Sequence, residues 1–276
     1  MSLPGYGCGK ADTLNRRHLV ISDLHENCRA LLNFIRKAEK TPGGLDDIWL
    51  LGDLFGHSDE ATGAEDLTQN VLNMFQILER YKGPAVRGNW EYWLMHPERD
   101  ENNKYQGKYT QQLIQRRELL GKKENKALLE ELVKNTVLVY PEQGKAEFTL
   151  FHGCSYACHR NTDYQPDPCE CYLFPRDLNI VTRGLFGNEE NLRTPHFLFG
   201  HTHTPGFFTY SVTSMMNMWQ FFVMKMRNCP ISYGDSGQRF GINPGSAGIT
   251  TRRFPRTAVL LDTEEKTFTY LVDIGE

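Results

Sequence analysis

Short polar motifs rich in aspartate, histidine and asparagine recur along the 276-residue chain. Each follows a short apolar run, and in chain order they are Asp23-Leu24-His25, Gly52-Asp53, Gly88-Asn89-Trp90-Glu91, His152-Gly153 and Gly200-His201-Thr202-His203. Imidazole and carboxylate groups suit zinc, iron or manganese better than calcium. In an extended segment, side chains two residues apart point to the same side, so Asp-x-His and His-x-His can each offer two ligands together. The motifs therefore predict a metal site.

A pair of ions explains this set of ligands better than a single ion. A lone carboxylate such as Asp53 can bridge two ions, and two ions about 3.5–4 Å apart can hold a phosphate, activate water and stabilise a leaving oxygen. We therefore expect in-line hydrolytic attack on phosphorus. Taken singly, Asp23 or Asp53 could equally be a turn former, and His152 is more often a buried, hydrogen-bonded histidine. Only the combination favours the metal site.

The first part of the chain alternates between predicted strands and helices. Apolar runs predict strands over residues 17–23, 47–53 and 84–88, and helical spacing of apolar residues predicts helices over 27–40 and 64–81. This alternation is typical of crossover units in a largely parallel sheet. Sites in such sheets form outside the carboxyl ends of the strands, where the motifs lie.

The second part of the chain has a different pattern. Helices are predicted after Tyr109 and over residues 126–134, and short strands of a partly antiparallel second sheet are predicted over 147–152, 196–201, 207–212, 240–243, 257–262 and 267–273. Residues 154–194 and 213–238 are expected to be long irregular inserts, and long loops are often functional. We predict one domain over residues 1–276, with residues 1–15 as a loose N-terminal arm.

Composition excludes several classes of function. The formal net charge is -3, which does not indicate general nucleic-acid binding. No apolar run approaches the roughly 18 residues that span a bilayer, so no membrane contact is expected. The odd count of seven cysteines, without an apolar leader, predicts a cytoplasmic protein with mostly reduced thiols. Cys154, Cys158, Cys169 and Cys171 could form a structural zinc site, but their spacing is irregular and free thiols are the default expectation.

The five motifs, in this order, resemble the calcineurin-like metallophosphoesterase family over residues 23–203. The segment Asn243-Pro244-Gly245-Ser246-Ala247-Gly248 extends the resemblance, because bacterial members often carry Asn-Pro-Gly-Ser there. The resemblance implies an α/β fold, a four-layer sandwich of two mixed β-sheets flanked by helices. It also implies two divalent or trivalent metal ions, of manganese, iron or zinc.

The resemblance assigns a role to each motif residue. It implies that Asp23, His25 and His203 bind the first metal ion. It implies that Asn89, His152 and His201 bind the second, while Asp53 bridges the two. The residues with candidate catalytic roles are Asp53, Asn89 and His201.

Trp90 departs from the Gly-Asn-His-Asp/Glu motif that is common in the family. The missing histidine is placed there to protonate or orient the leaving oxygen, and an indole cannot act as a general acid. Since proton donation is typically worth about 10²–10⁴-fold, the site should favour leaving groups that depart as anions. The histidines at positions 57, 96 and 159 could fill the role, but the sequence does not place them.

Two interpretations of Trp90 remain open. It could be a core residue, or it could be a surface that stacks on a base. Some bacterial members with Gly-Asn-Trp-Glu resemble asymmetric dinucleoside tetraphosphate hydrolases.

A second departure from the family pattern is Glu26, where glycine is usual between His25 and the next asparagine.

Asn27 and Arg252 complete the predicted substrate contacts with Trp90. Asn27 can cap the first helix, and helix N-termini favour phosphate. Arg252 and Arg253 follow the Asn-Pro-Gly-Ser turn, although solvated surface charge is an equal alternative for either arginine.

The Gly52-Asp53 motif lacks the Asp-Arg-Gly of the serine/threonine phosphatases, which counts against a protein phosphatase.

The sequence thus predicts a dinuclear metal-dependent phosphoesterase that hydrolyses a phosphodiester or phosphoanhydride. Its partner would be a small phosphate ester or nucleotide, and a dinucleoside tetraphosphate is the first candidate. One alternative is a phosphomonoesterase or phosphoprotein phosphatase. Another is a metal-binding scaffold without turnover.

Overall fold

The computed structural model describes most of the chain between residues 16 and 274. The described ranges are residues 16–56, 64–97, 106–121, 123–132, 134–140, 146–154, 167–177, 194–211, 216–234 and 237–274. The predicted N-terminal arm, residues 1–15, lies outside them, as do His57 and His159.

Two six-stranded sheets contain the described strands. The first has the order β3 (Lys82–Ala85), β2 (Asp47–Leu50), β1 (Arg17–Ile21), β11 (Arg256–Asp262), β12 (Thr267–Asp273) and β9 (Ile231–Ser232). The second has the order β4 (Val137–Tyr140), β5 (Phe148–Phe151), β6 (His196–Leu198), β10 (Gln238–Asn243), β7 (Gly206–Ser211) and β8 (Met216–Phe221). Both are mixed: β1, β2 and β3 run parallel, as do β5, β6 and β10, and the remaining neighbours pair antiparallel.

Five helices share one hydrophobic cluster with the first sheet. They are α1 (Cys28–Glu39), α2 (Ala64–Arg80), α3 (Asn89–Met95), α4 (Gln106–Leu120) and α5 (Lys123–Leu132). In α1, Leu31, Phe34 and Ile35 are buried on one face, as the helical spacing predicted. None of the described helices combines the length and apolar character that crossing a bilayer requires.

Alternation along the central strands divides the core into layers. Leu19 and Ile21 of β1 pack in the cluster shared with the helices. Val20, between them, packs instead in the cluster that joins the two sheets, together with Phe148 and Leu150 of β5. The result is the α/β arrangement of two mixed sheets flanked by helices that the resemblance implied.

Residues 213–238 are not the irregular insert that we expected. They include β8, which pairs with β7 over six residue pairs, and the short strand β9. The apolar residues of β8 occupy both of its faces: Met218 is exposed and the neighbouring Trp219 is half-buried. Without an alternation of apolar and polar residues, the sequence carries no strand signal here.

The cysteines also need a correction. Cys28, Cys154, Cys169 and Cys229 form no disulfide, whereas Cys171 is disulfide-bonded. Because zinc is bound by thiolates, Cys171 cannot complete the zinc site that its spacing from Cys154 and Cys169 allowed.

Candidate dinuclear metal site

The predicted ligands lie on loops just beyond the strand ends. β1 ends two residues before Asp23, and β6 ends three residues before His201. Left-handed backbone occurs at Asp23, His25, Asp53, His201 and His203, with φ between 48° and 69°. Such residues cost about 1–3 kcal/mol each and cluster at functional sites. The backbone strain is therefore concentrated in the loops that carry the ligands.

Gly88 allows two of these loops to approach each other. A Cβ atom at this position would collide with the Asp53 carboxylate. Asn89, the first residue of α3, follows directly. The glycine in this motif therefore permits Asp53 and Asn89 to share one site.

Asp23, His25 and His203 form the first group of candidate ligands. The Nε2 atom of His203 lies 3.1 Å from Oδ1 of Asp23 and 3.3 Å from Nε2 of His25. On the other side of its ring, His25 donates from Nδ1 to the carbonyl oxygen of Phe55 at 2.9 Å. A carbonyl acceptor at Nδ1 fixes the tautomer that presents Nε2 as a ligand.

Asp53, His152 and His201 form the second group. The Nε2 atom of His152 is 3.4 Å from Oδ2 of Asp53 and 3.2 Å from Oδ1 of Asn89. Its Nδ1 donates to the carbonyl oxygen of Leu51 at 2.6 Å. The backbone carbonyl of Glu170 accepts a hydrogen bond from the His201 ring in the same way.

The two groups adjoin and fit metal ions. The Nε2 atom of His152 lies 4.0 Å from Oδ1 of Asp23, so the second group lies directly beside the first. The Nε2 atom of His201 is buried and has no hydrogen-bond partner. An unpartnered buried nitrogen is costly unless a ligand satisfies it. With nitrogen and oxygen ligands on both sides of Asp53, the donor set suits manganese, iron or zinc.

The pKa values of the candidate histidine ligands differ between positions. Burial, together with the charge of His203, lowers the pKa of His25 to about 4. Burial and the charge of His152 lower the pKa of His201 to about 3. At His152, burial also lowers the pKa, but Asp53 and Asp23 outweigh it and raise the value to about 9. Metal binding must therefore displace a proton from His152, whereas His25 and His201 are already neutral.

Glu91 holds the Asp53 loop against α3, a role that we did not predict for it. Its fully buried carboxylate accepts hydrogen bonds from the backbone N–H groups of Asp53, Leu54, Phe55 and Gly88 at 2.7–3.2 Å. Burial and the neighbouring Asp53 raise the pKa of Glu91 to about 7. Its position at the end of the Gly-Asn-Trp-Glu motif was the available sequence signal.

Family membership follows from the sequence match. Residues 17–266 match the model of the calcineurin-like phosphoesterase superfamily domain. The chain belongs to the calcineurin-like phosphoesterase superfamily. As a member, it is a metal-dependent phosphoester hydrolase, and the recognition made from the five motifs is confirmed. No curated protein matches its sequence.

A solved metallophosphoesterase structure shows the same fold. A metallophosphoesterase from Sphaerobacter thermophilus aligns with a TM-score of 0.60 and 20% identity, over 93% of this chain and 88% of that chain. Yfce, a phosphoesterase from E. coli, aligns with a TM-score of 0.42 and 14% identity, over 93% of this chain and 98% of that chain.

Glu26 of this phosphoesterase forms a buried ion pair with Arg116 of α4. The guanidinium also donates to the carbonyl oxygen of Gly56 at 2.6 Å and lies 5.8 Å from the centre of the Trp90 ring. Arg116 thereby ties the loop of His25 to the loop that follows Asp53. No sequence motif indicated this pair, because its partners are 90 residues apart.

Two of the predicted substrate contacts are buried in the phosphoesterase. Trp90 is only 5% exposed, its ring packs on Trp93 and Tyr109, and its backbone N–H donates to Oδ1 of Asp53 at 3.0 Å. Asn27 caps α1 through Ala30 and donates from its side chain to the carbonyl oxygen of Gly248 at 2.9 Å. Trp90 thus packs as a core residue, and both polar groups of Asn27 are bonded within the protein.

Arg252 lies in a different environment, on a cavity beside the candidate metal ligands. The cavity measures about 860 Å³, and His203 of the first group forms part of its wall. Arg252 and Arg253 are exposed there, opposite aromatic side chains of three segments: Phe174, Trp219, Phe221 and Phe254. The structure therefore brings Arg252 to the edge of the candidate site.

His96 does not approach the candidate ligands. It caps the C-terminal end of α3, where its ring packs on Tyr92 at 4.5 Å between centroids. Asn89 is at the opposite end of this helix, about 10 Å away at 1.5 Å per residue. Of the three histidines considered as replacements for the missing general acid, the other two lie outside the described residues.

Proposed function

We propose that this phosphoesterase hydrolyses a phosphodiester or phosphoanhydride bond of a nucleotide, with a dinucleoside tetraphosphate as the first candidate. The observation that carries the proposal is the position of the aromatic and basic cavity next to His203. A phosphate at the metal ligands would have the rest of its molecule in this cavity.

The ligand groups define the roles of the residues in this proposal. Asp23, His25 and His203 would hold one ion, and Asn89, His152 and His201 would hold the other, with Asp53 as the ligand that the two ions would share. When bound, ions of manganese, iron or zinc supply the Lewis acidity that polarises the phosphoryl group and activates water. Asp53 and His201 belong to the second group and Asn89 lies 3.2 Å from His152, so all three would border a phosphate held there.

The dimensions and chemistry of the cavity support a nucleotide. A volume of about 860 Å³ is within the range of small-molecule sites, about 300–1,000 Å³. The exposed guanidinium groups of Arg252 and Arg253 match the charge and geometry of additional phosphates. The rings of Phe174 and Phe221 are exposed and offer faces on which a base can stack, which typically contributes about 1–3 kcal/mol.

The expected leaving group is an anion. Trp90 stands where the family commonly has its general acid, and His96 is at the far end of α3. Among the described residues around the candidate ligands, we identify no side chain to protonate an alkoxide. A nucleotide phosphate departs without such help, whereas the alcohol of a phosphomonoester does not.

Kinetics with three substrates separate the alternatives. With Mn²⁺ added, diadenosine tetraphosphate should be cleaved with a specificity constant well above that of nitrophenyl phosphate, giving AMP and ATP. If bis-nitrophenyl phosphate is hydrolysed but no dinucleotide is, the phosphoesterase assignment stands and the nucleotide proposal fails. A preference for nitrophenyl phosphate would favour the phosphomonoesterase alternative, and no turnover of any substrate would favour the scaffold.

Arg252→Ala should weaken binding of the nucleotide. Loss of a charge-assisted contact worth about 1.5–3 kcal/mol raises KM for diadenosine tetraphosphate roughly 10–100-fold, with kcat changed less. Arg29→Ala is the matched control, because Arg29 is also exposed but lies on α1. Equal KM values for the two variants would contradict a substrate contact at Arg252.

Trp90→His tests the missing general acid. The new imidazole stands where the family places its proton donor, so turnover of alkyl phosphomonoesters should rise relative to activated diesters, by up to about 10²-fold. Since Trp90 is buried, the thermal midpoint of the variant must be measured alongside, and Trp93→His serves as a control for a buried indole lost from α3. An unchanged ratio in folded protein would mean that residue 90 does not set the leaving group.

A further inference from the structure

His201 receives two contacts from a segment that carries none of the predicted ligands. The segment, residues 167–177, provides the backbone carbonyl of Glu170 as acceptor for the His201 ring. Two residues later, the ring of Tyr172 stacks on the imidazole, with centroids 3.7 Å apart and planes 23° apart. The imidazole is thus fixed at its edge and on its face.

The stacking contact is closer than the other ring contacts of the candidate ligands. The rings of His152 and His201 are 4.9 Å apart, and those of His25 and His203 are 5.1 Å apart. His201 lies beyond the end of β6 on left-handed backbone, so the sheet does not fix the direction of its ring. Tyr172 therefore restricts the imidazole where the strand does not.

Residues 167–177 also contact the elements that carry Asn89 and His152, the other residues expected to bind the second ion. Asp167 pairs with Arg87 at 2.8 Å, and the Glu170 carboxylate accepts a hydrogen bond from the Trp93 indole at 2.7 Å. These two contacts attach the segment to the chain before and after Asn89. The carbonyl oxygen of Cys171 accepts from the backbone N–H of Cys154, two residues after His152, at 2.9 Å. Residues 167–177 therefore connect the loops of Asn89, His152 and His201.

We propose that Tyr172 is a positioning residue for His201, and that residues 167–177 hold the ligands of the second metal site in place. The stacked ring, ion pair and hydrogen bonds of this segment reach the elements of Asn89, His152 and His201, whereas Asp23, His25 and His203 contact one another and the loop at Phe55. The ring face of Tyr172 holds Nε2 of His201 towards the ion. Contacts that orient a metal ligand typically change affinity by about 10–100-fold.

Binding of Mn²⁺ to variants with a single intact group tests this proposal without an activity assay. His203→Ala disables the first group and His201→Ala the second, so titration calorimetry reports one site at a time. Tyr172→Leu should weaken Mn²⁺ binding about 10-fold in the His203→Ala background. In the His201→Ala background it should change the affinity by no more than about two-fold.

Two further variants test whether loss of the stacked ring causes the weaker Mn²⁺ binding of Tyr172→Leu. Tyr172→Phe keeps the stacked ring and should bind Mn²⁺ within about two-fold of the parent. Phe221→Leu removes an aromatic ring that is equally exposed, 47% in both cases, but does not stack on His201, and it should leave the Mn²⁺ affinity unchanged. Tyr172→Met replaces Tyr172→Leu if that variant does not fold.

The proposal is overturned by any of three results. The first is an undiminished Mn²⁺ affinity of Tyr172→Leu in the His203→Ala background. The second is an equal loss in the His201→Ala background, and the third is an equal loss from Tyr172→Phe or Phe221→Leu. Because the readout is metal affinity, each result is independent of whether a nucleotide is the substrate.

Discussion

Asp53→Asn should abolish hydrolysis while leaving the fold intact. Asp53 is buried between the two candidate ligand groups, with Oδ2 3.4 Å from His152 and Oδ1 accepting from the Trp90 N–H at 3.0 Å. Asparagine has the same shape and can still accept that hydrogen bond, but it lacks the charge needed to bridge two cations. Since even contacts behind a metal ligand are worth about 10–100-fold, loss of the bridging ligand should lower kcat/KM by more than about 100-fold.

Metal content and a matched variant complete this test. Purified Asp53→Asn should hold fewer Mn²⁺ ions per chain than the parent when measured by plasma mass spectrometry. Asp47→Asn is the control, because Asp47 is also a buried carboxylate beside a histidine, 2.6 Å from His18, but lies at the start of β2. Full activity of Asp53→Asn, or an equal loss in Asp47→Asn, would remove Asp53 from the proposed mechanism.

Glu91→Ala should cause the largest loss of stability. The variant leaves four backbone N–H groups, those of Asp53, Leu54, Phe55 and Gly88, without the acceptor that they share. Each buried donor left unpaired costs about 1–3 kcal/mol. The sum is comparable with the whole stability of a typical domain, about 5–15 kcal/mol. We expect the variant to be largely unfolded or to have a much lower urea midpoint.

Urea unfolding followed by circular dichroism measures this loss. Glu131→Ala provides the control, because Glu131 is an exposed glutamate that pairs with Lys82 on the surface, and its removal should leave the midpoint unchanged. Glu91→Gln should lie between the two, since its amide keeps one acceptor oxygen but turns a donor towards the same N–H groups. A parental midpoint for Glu91→Ala would show that the Asp53 loop does not depend on this carboxylate.

The sequence indicated which candidate ligands lie together, because each motif directly follows an apolar run. A buried strand is recognisable from its composition, and the carboxyl ends of parallel strands meet at one edge of a sheet. This reasoning joins residues as distant as Asp23 and His201, whose backbone N–H donates to the Asp23 carboxylate at 3.1 Å. The α/β fold with two mixed sheets was predictable for the same reason.

The residues that hold the ligands in place were not predictable in this way. Tyr172 and Arg116 stand in segments without a motif, and their contacts with His201 and Glu26 exist only after the chain has folded. The burial of Trp90 also depends on partners in α4, such as Tyr109, that no periodicity links to it. Motif reasoning therefore finds candidate metal ligands but not the residues that orient them.

Anomalous diffraction from crystals grown with Mn²⁺ tests the central claim most directly. Two peaks are expected about 3.5–4 Å apart, the usual spacing of a catalytic pair of ions. One peak should lie among Asp23, His25 and His203. The other should lie among Asn89, His152 and His201, with Asp53 in contact with both. A single peak, or peaks away from these residues at a Mn²⁺ concentration that supports hydrolysis, would contradict the dinuclear site.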